Sequence, residues 1–218
     1  MRLPRNYDVY IFDCDGVLLD SNKLKIIAMR DALESFSIDK EIVRKCVDYF
    51  SQNFGKSRYH HIDFFLKNFL RDENLVAETA DFKCKVLLKY AKNVDKSYSD
   101  AKVIPGVISI LDGLNGELFV ASGSEQKQLQ SVLESKGLSS YFQDIFGSPR
   151  SKTEIVANII SQYQNNVSVL LVGDSVADYA AASNNAVDFI GLSGYSNTPE
   201  LLKHLCVENN KICIEYWR

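Results

Sequence analysis

The sequence predicts an α/β fold: a doubly wound parallel sheet with an inserted all-helical domain. Over residues 1–20 and 100–218, short apolar runs of strand length alternate with stretches of helical periodicity. This alternation is typical of parallel sheets that carry helices on both faces. Residues 21–99 have helical periodicity and no convincing strand. We therefore expect residues 1–20 and 100–218 to form the sheet domain and residues 21–99 to form the helical insertion.

The predicted strands are apolar runs bounded by glycine or acidic residues, the pattern of strands that are buried on both faces. They lie at 9–12, 117–121, 167–172, 187–190 and 212–217. Apolar residues at helical spacing predict the intervening helices. These lie at 107–114, 125–136, 153–164, 177–183 and 199–205. In a fold of this kind, ligands bind beyond the carboxyl ends of the strands.

Four groups of apolar residues at helical spacing predict the helices of the insertion. The groups lie at 24–33, 42–50, 62–69 and 82–90. The insertion begins soon after the first predicted strand, so we expect it to form a cap over the carboxyl ends of the sheet. Its hinges are predicted near 20–22 and 99–106. A cap at this place would exclude water and select substrates.

The composition excludes several classes of protein. The 218 residues carry a net charge of -3 without a block of lysine or arginine, so the chain has no long-range attraction for nucleic acid or anionic lipid. No apolar run is long enough to span a membrane. The five cysteines are odd in number and widely spaced, which favours reduced thiols over disulfides or a zinc site. We expect a soluble cytoplasmic protein, either a monomer or a weak homodimer.

The first acidic cluster is the strongest indication of function. Asp13 and Asp15 follow the first predicted strand, and Gly16 ends the cluster. Two carboxylates at this spacing repel each other, and burial adds to the cost. A magnesium ion and a phosphate-bearing substrate would stabilise them. A calcium loop is excluded because Val17 and Leu24 stand where oxygen ligands are required. A turn with capping acids stays an alternative for this motif alone.

Further polar motifs come from distant parts of the sequence. Ser122 and Gly123 follow one predicted strand, Asp174 and Asp178 follow another, and Lys152 precedes a predicted helix. Each has a plainer interpretation when taken singly, as a helix cap or a solvated lysine. However, serine hydroxyls and N–H groups at a helix start also bind phosphate. An acidic pair that faces another acidic pair forms an oxygen-rich magnesium site.

In this order, the four motifs resemble those of the haloacid dehalogenase-like (HAD) hydrolase superfamily, across essentially the whole chain. The segment from Asp13 to Val17 resembles the first motif, Ser122 the second, Lys152 the third, and the segment from Gly173 to Asp178 the fourth. The helical insertion resembles the cap of the phosphoglycolate phosphatase and β-phosphoglucomutase branch. The resemblance implies a Rossmann-like core and, as in most members, a magnesium-dependent phosphomonoesterase.

The resemblance also implies catalytic roles. Asp13 would be the nucleophile and form an aspartyl-phosphate. Asp15 would protonate the leaving oxygen and then activate the water that cleaves the intermediate. Ser122 and the Gly123 N–H would hold the phosphoryl oxygens, while Lys152 would neutralise charge on the nucleophile and the phosphate. The dehalogenase and phosphonatase branches lack an acidic residue at the position of Asp15. Its presence here therefore favours phosphate-ester chemistry.

By the same resemblance, magnesium would be held by Asp13, the backbone carbonyl of Asp15 and Asp174. Asp178 would lie outside the ligand set, where it would orient Lys152 or a metal-bound water. A phosphate dianion beside three carboxylates requires both the metal ion and a cationic side chain.

The predicted cap carries a weaker indication of the substrate. Residues 55–58 resemble the G-x-S-R motif of β-phosphoglucomutase, whose arginine binds the non-transferring phosphate. Arg58 therefore either binds a second anionic group or is a solvated arginine at a helix start, and both remain open. Lys25 stands where those mutases carry a histidine. His60 and His61 are adjacent, so their side chains point roughly 100° apart on a helix and do not form a metal-binding pair.

The sequence thus favours a magnesium-dependent phosphatase that acts on a small phosphomonoester, such as a sugar phosphate or a phospho-acid. The alternatives are a β-phosphoglucomutase-like sugar-phosphate mutase and a protein that binds phosphate without catalysis. Neither nucleic acid nor a membrane is expected as a partner.

Overall fold

The computed structural model describes residues 6–70, 79–163 and 166–217. The strands in these ranges are β1 Val9–Phe12, β2 Leu19–Asp20, β3 Lys102–Val103, β4 Glu117–Glu125, β5 Asp144–Ser148, β6 Val169–Gly173, β7 Asp188–Leu192 and β8 Ile212–Ile214. The helices are α1 Asn22–Glu34, α2 Lys40–Gln52, α3 Arg58–Asn68, α4 Thr79–Asp100, α5 Val107–Asp112, α6 Gln126–Ser135, α7 Lys152–Ile160, α8 Val176–Asn184 and α9 Pro199–Glu208. None of these helices is long and apolar enough to cross a membrane.

The main sheet is parallel throughout, with the strand order β5-β4-β1-β6-β7-β8. The first strand lies in the middle, where Val9 pairs with Glu117 on one side and Val169 on the other. The predicted doubly wound α/β fold is therefore confirmed. Because β1, β4 and β6 are neighbours, the polar residues that follow their carboxyl ends lie at one edge of the sheet.

Alternating side chains of β1 contribute to two hydrophobic cores, one on each face of the sheet. Tyr10 and Phe12 belong to the core that continues into the helices of the insertion. Val9 and Ile11 belong to the core beneath α7, α8 and α9. All four side chains are buried, which explains why this strand has a continuous apolar run and not an alternating one.

Two local differences from the predicted elements affect the site. Strand β4 continues to Glu125, so residues 122–125 do not begin a helix as expected. The helix starts one residue later, where the Glu125 side chain accepts a hydrogen bond from the Gln128 N–H. Strand β5 was not predicted; it pairs with β4 at the edge of the sheet.

The insertion contains α1, α2, α3 and α4, which connect β2 to β3. These two short strands pair antiparallel, with Leu19 opposite Val103 and Asp20 opposite Lys102. The two crossings between sheet and helices therefore lie side by side.

Candidate active site

The loop after β1 places both aspartates of the first motif in a buried position. Asp13 is 4% exposed and Asp15 is 5% exposed. The Asp13 N–H donates to the Val172 carbonyl at 2.9 Å, which holds the loop against β6. Gly16 then turns the chain with a φ of +79°, and a Cβ there would lie 2.3 Å from Asp174 Oδ2. Only glycine meets both demands, which explains its place in the motif.

Three aspartates form a buried acidic group at this edge of the sheet. One carboxylate oxygen from each of Asp13, Asp174 and Asp178 lies within 4.8 Å of the others. Two oxygens, Asp13 Oδ1 and Asp174 Oδ1, are buried without a hydrogen bond. Burial and the neighbouring carboxylates raise the pKa of Asp13 to about 7 and that of Asp174 well above its usual range. Buried carboxylate oxygens without a hydrogen bond fit a site for a divalent cation.

Lys152 lies between two of these carboxylates. Its Nζ is 3.0 Å from Asp13 Oδ1, an ion pair without hydrogen-bond geometry, and it donates a hydrogen bond to Asp178 Oδ1. Asp178 Oδ2 accepts from the Ser175 N–H at 3.0 Å and from its Oγ at 2.5 Å. Burial alone would lower the pKa of Lys152, but the carboxylates of Asp13 and Asp178 raise this pKa above its usual value. The ammonium group is therefore held charged beside Asp13.

The second motif lies on the other side of Asp13. Ser122 is buried on β4, and its Oγ accepts a hydrogen bond from the Ser124 N–H at 3.2 Å. At Gly123 a Cβ would lie 2.6 Å from the Gly55 carbonyl oxygen, so the loop before α3 packs directly on this strand. The candidate phosphate-binding residues are thus covered by the helical insertion.

Asp15 is held by four side chains, none of which the motifs predicted. Lys25 Nζ lies 2.7 Å from Asp15 Oδ2, and Ser124 Oγ donates to the same oxygen at 2.7 Å. Ser21 Oγ donates to Oδ1 at 2.6 Å, and the Tyr98 hydroxyl donates at 3.1 Å. Although burial opposes ionisation, Lys25 and these hydrogen bonds lower the pKa of Asp15. The carboxylate form is therefore favoured.

Asn22 is a further site residue that the motifs did not predict. Its Nδ2 donates to Asp174 Oδ2 at 2.7 Å and to the Tyr195 carbonyl at 2.9 Å. Its Oδ1 is buried without a hydrogen bond. The amide therefore fixes one oxygen of Asp174 and leaves the other, Oδ1, for a cation. In the sequence, a polar residue at the start of a helix indicates only a helix cap, so the contact with Asp174 could not be predicted.

Arg58 is buried at the start of α3, which rules out a solvated arginine. Its guanidinium lies 5.1 Å from the centre of the Tyr90 ring and donates to Gln128 Oε1. Within the described ranges, no carboxylate forms an ion pair with it. A buried guanidinium without a counterion favours an anionic ligand.

These groups surround one cavity between the sheet and the insertion. Asp13, Asp15 and Ser122 line the sheet side, whereas Lys25 and Arg58 line the helical side. Its volume is about 20 Å³, which is room for about one water molecule. Lys152, Asp174 and Asp178 are not part of this lining. The predicted core residues are thus brought together around the nucleophile candidate.

Comparisons with known proteins agree with this arrangement. The family description "Haloacid dehalogenase-like hydrolase" matches residues 10–192. A predicted phosphatase from Clostridium acetobutylicum is 22% identical, with 96% of this chain and 94% of that chain covered and a TM-score of 0.73. A predicted phosphoglycolate phosphatase from Haemophilus somnus is 20% identical, with 88% and 87% covered and a TM-score of 0.65.

A haloacid dehalogenase-like family protein from Streptococcus pneumoniae is 17% identical, with 96% of this chain and 94% of that chain covered and a TM-score of 0.67. A comparison with curated proteins found no match. At these identities the solved structures support the fold, whereas the family match spans most of the sequence and contains all four motifs. The chain belongs to the haloacid dehalogenase-like hydrolase family.

Proposed function

We propose that this protein is a magnesium-dependent phosphatase that hydrolyses a small phosphomonoester through an aspartyl-phosphate on Asp13. One observation carries the proposal: Asp13 and Asp174 each present a buried carboxylate oxygen without a hydrogen bond, and the Lys152 ammonium lies 3.0 Å from Asp13. A nucleophile, a cation site and a fixed positive charge are what phosphoryl transfer requires.

Magnesium would be held by Asp13, the backbone carbonyl of Asp15 and Asp174, since this ion prefers oxygen ligands. When bound, it supplies positive charge that stabilises the transferring phosphoryl group. Asp178 already accepts hydrogen bonds from Lys152 and Ser175. We therefore assign Asp178 the role of orienting Lys152.

In the first step, the Asp13 carboxylate attacks the phosphorus atom and the bond to the leaving oxygen breaks. Lys152 balances negative charge on the nucleophile and the phosphoryl group. Ser122 Oγ and the Gly123 N–H donate hydrogen bonds to the phosphoryl oxygens. Water then attacks the aspartyl-phosphate and releases inorganic phosphate.

Asp15 transfers protons in both steps. It gives a proton to the leaving oxygen in the first step and takes one from the attacking water in the second. The ion pair with Lys25 favours the carboxylate, which is the form that the second step needs. The first step needs the acid form, so this ion pair must loosen when substrate binds. Because Lys25 belongs to α1 and lines the small cavity, a cap closed over bound substrate would hold Lys25 farther from Asp15.

The insertion, predicted to span residues 21–99, serves as a cap in this mechanism. A cavity of about 20 Å³ cannot hold a phosphate ester. Substrate therefore binds after the cap moves away from the sheet, with the paired strands β2 and β3 as the hinge. Closure then excludes water during the first step.

The substrate class follows from Arg58. A buried guanidinium without a counterion would bind a second anionic group on the substrate, either a phosphate or a carboxylate. We therefore infer a short sugar phosphate or phospho-acid. The same residue favours a β-phosphoglucomutase-like mutase as the second candidate. Interconversion of a hexose phosphate without net release of phosphate would distinguish the mutase.

Hydrolysis of p-nitrophenyl phosphate by the purified protein, with Mg²⁺ and with excess EDTA, tests the proposed function. We expect turnover with Mg²⁺ that EDTA abolishes and added Mg²⁺ restores. Turnover that persists in EDTA would contradict the metal role. No turnover on this or any phosphate ester, in a folded protein that binds Mg²⁺, would favour the binding role without catalysis.

A further inference from the structure

His61 is a buried polar residue that the proposed mechanism does not use. It lies on α3, is 1% exposed, and its Nδ1 has no hydrogen-bond partner. The same side chain lines the small cavity that contains Asp13 and Arg58. A buried polar atom without a hydrogen bond is destabilising unless a ligand provides the missing partner.

The aromatic side chains that pack on His61 offer no such partner. Its ring packs against Phe50, with 4.7 Å between the ring centres, and against Tyr49 at 6.0 Å. These contacts are ring faces and edges, which fix the orientation of the imidazole. The neighbouring His60 differs, because it is exposed and contacts the Tyr49 hydroxyl at 3.2 Å. Of these two histidines, His61 is the one that combines burial with an unused hydrogen-bonding atom.

The imidazole is held in its neutral form. Burial, together with the positive charges of nearby Lys56 and Lys25, lowers the pKa of His61 to about 3, although the Lys56 carbonyl acts in the opposite direction. A neutral imidazole has one donor and one acceptor nitrogen. It suits an uncharged oxygen, such as a hydroxyl or carbonyl group, and it adds no charge to the cavity.

We propose that His61 is a specificity residue that hydrogen-bonds a hydroxyl or carbonyl oxygen in the leaving group of the substrate. This inference rests on the proposed phosphatase function and narrows its substrate class. Arg58 would bind the second anion, while His61 would bind an uncharged oxygen of the same leaving group. The substrate class is then a short phosphate ester that carries both groups.

A matched pair of substrates tests this role with the magnesium-loaded protein. The probes are 3-phosphoglycerate and 3-phosphonooxypropionate, which differ only in the 2-hydroxyl group, with p-nitrophenyl phosphate as the reference. His61→Phe keeps an aromatic ring among aromatic neighbours and removes the nitrogens. His61→Leu is the second variant without a hydrogen-bonding atom, and His61→Asn restores an amide near the Nδ1 position. His60→Phe is the exposed control.

We expect the wild type to favour the hydroxyl-bearing compound by at least about tenfold in kcat/KM, the effect of one buried hydrogen bond. The preference should fall to about one in His61→Phe and His61→Leu, return in part in His61→Asn, and persist in His60→Phe. Absence of a preference in the wild type, or its persistence in His61→Phe or His61→Leu, would overturn the inference.

The reference substrate separates this inference from the proposed function. If the wild type hydrolyses p-nitrophenyl phosphate but neither phospho-acid, the substrate class is wrong while the phosphatase stands. If p-nitrophenyl phosphate is also left intact, the phosphatase itself is contradicted. A loss of preference in His60→Phe equal to that in His61→Phe would indicate a general effect on α3, which also contradicts the role.

Discussion

Lys25 and Asp15 form a buried ion pair, with 2.7 Å between Nζ and Oδ2. Lys25 lies on the first helix of the insertion, and Asp15 lies in the loop that follows the central strand. Tyr98, near the end of the last helix of the insertion, donates to the same carboxylate. The candidate acid–base residue is therefore held by both ends of the insertion, which links the position of the cap to the charge of Asp15.

Replacing Lys25 tests this link through the pH profile. The pKa of Asp15 is lowered because Lys25 stabilises the carboxylate against the effect of burial. Removal of that charge in Lys25→Met should raise the pKa of Asp15, because the carboxylate loses its largest stabilising partner. The first step needs protonated Asp15, so the alkaline limb of kcat/KM for 3-phosphoglycerate should move to higher pH. Lys23→Met, an exposed lysine on the same helix, should leave the profile unchanged. An unmoved limb in Lys25→Met would contradict the link.

The Asn22 amide predicts an effect on metal affinity. Because its Nδ2 fixes Asp174 Oδ2 at 2.7 Å, Asn22→Ala should weaken Mg²⁺ binding about 10- to 100-fold, the usual effect of losing an outer-shell partner. Isothermal titration calorimetry with MgCl₂ measures this without any substrate. Asn209→Ala, at the exposed end of α9, is the control and should bind as the wild type does. Equal affinity in Asn22→Ala and the wild type would show that the contact does not position Asp174.

Arg58 predicts a difference between substrates. Arg58→Ala should raise KM for substrates with a second anion about tenfold or more, because a charge-assisted contact is lost. The change in KM for p-nitrophenyl phosphate, which lacks that anion, should be smaller. Arg44→Ala is a control, since Arg44 is exposed and pairs with Glu41 and Asp48. Equal effects on both kinds of substrate would make Arg58 a structural residue.

The acidic group predicts how stability changes with pH. Burial raises the pKa of Asp13 to about 7 and that of Asp174 well above its usual range. The folded protein therefore binds these protons more tightly than the unfolded chain does, and the resulting stability is lost as pH rises through about 7.

In EDTA, thermal unfolding should give a Tm at pH 8 below that at pH 5.5, by about 3 °C or more. Mg²⁺ binds the ionised carboxylates, so it should raise Tm more at pH 8. Asp174→Asn should reduce both differences, because one of the titrating groups is gone. A Tm in EDTA that does not fall with pH, together with no effect of Mg²⁺, would contradict the proposed cation site.

The fold could be predicted because the central strands are buried on both faces. Such strands are continuous apolar runs, which can be recognised in the sequence. Strand β1 lies where expected, because a short run of four consecutive apolar residues is typical of a strand that is buried on both faces. Strand β5 has only Ile145 and Phe146 as large apolar residues. It forms because it pairs with β4 at the sheet edge. That partner lies about 25 residues away in the chain, so the local pattern carries no signal for it.

The site could be predicted where its residues follow strand ends and could not be predicted where the insertion contributes. Asp13 and Asp174 each follow a central strand and Ser122 lies near the carboxyl end of β4, so the parallel sheet brings them together. Asn22 contacts Asp174 across 152 positions, and Tyr98 contacts Asp15 across 83. Such contacts depend on how four helices pack on the sheet, and neither periodicity nor spacing determines that packing.

The most direct test of the central claim is detection of the phosphorylated nucleophile. The magnesium-loaded protein is mixed with p-nitrophenyl phosphate, quenched in acid during turnover, and digested for mass spectrometry. We predict one phosphoryl group on Asp13, removed by hydroxylamine as expected for an acyl phosphate. Asp13→Asn, which keeps the shape of the side chain, should fold as the wild type does yet carry no label and release no phosphate. Phosphate release by Asp13→Asn, or a label on another residue of the wild type, would contradict the mechanism.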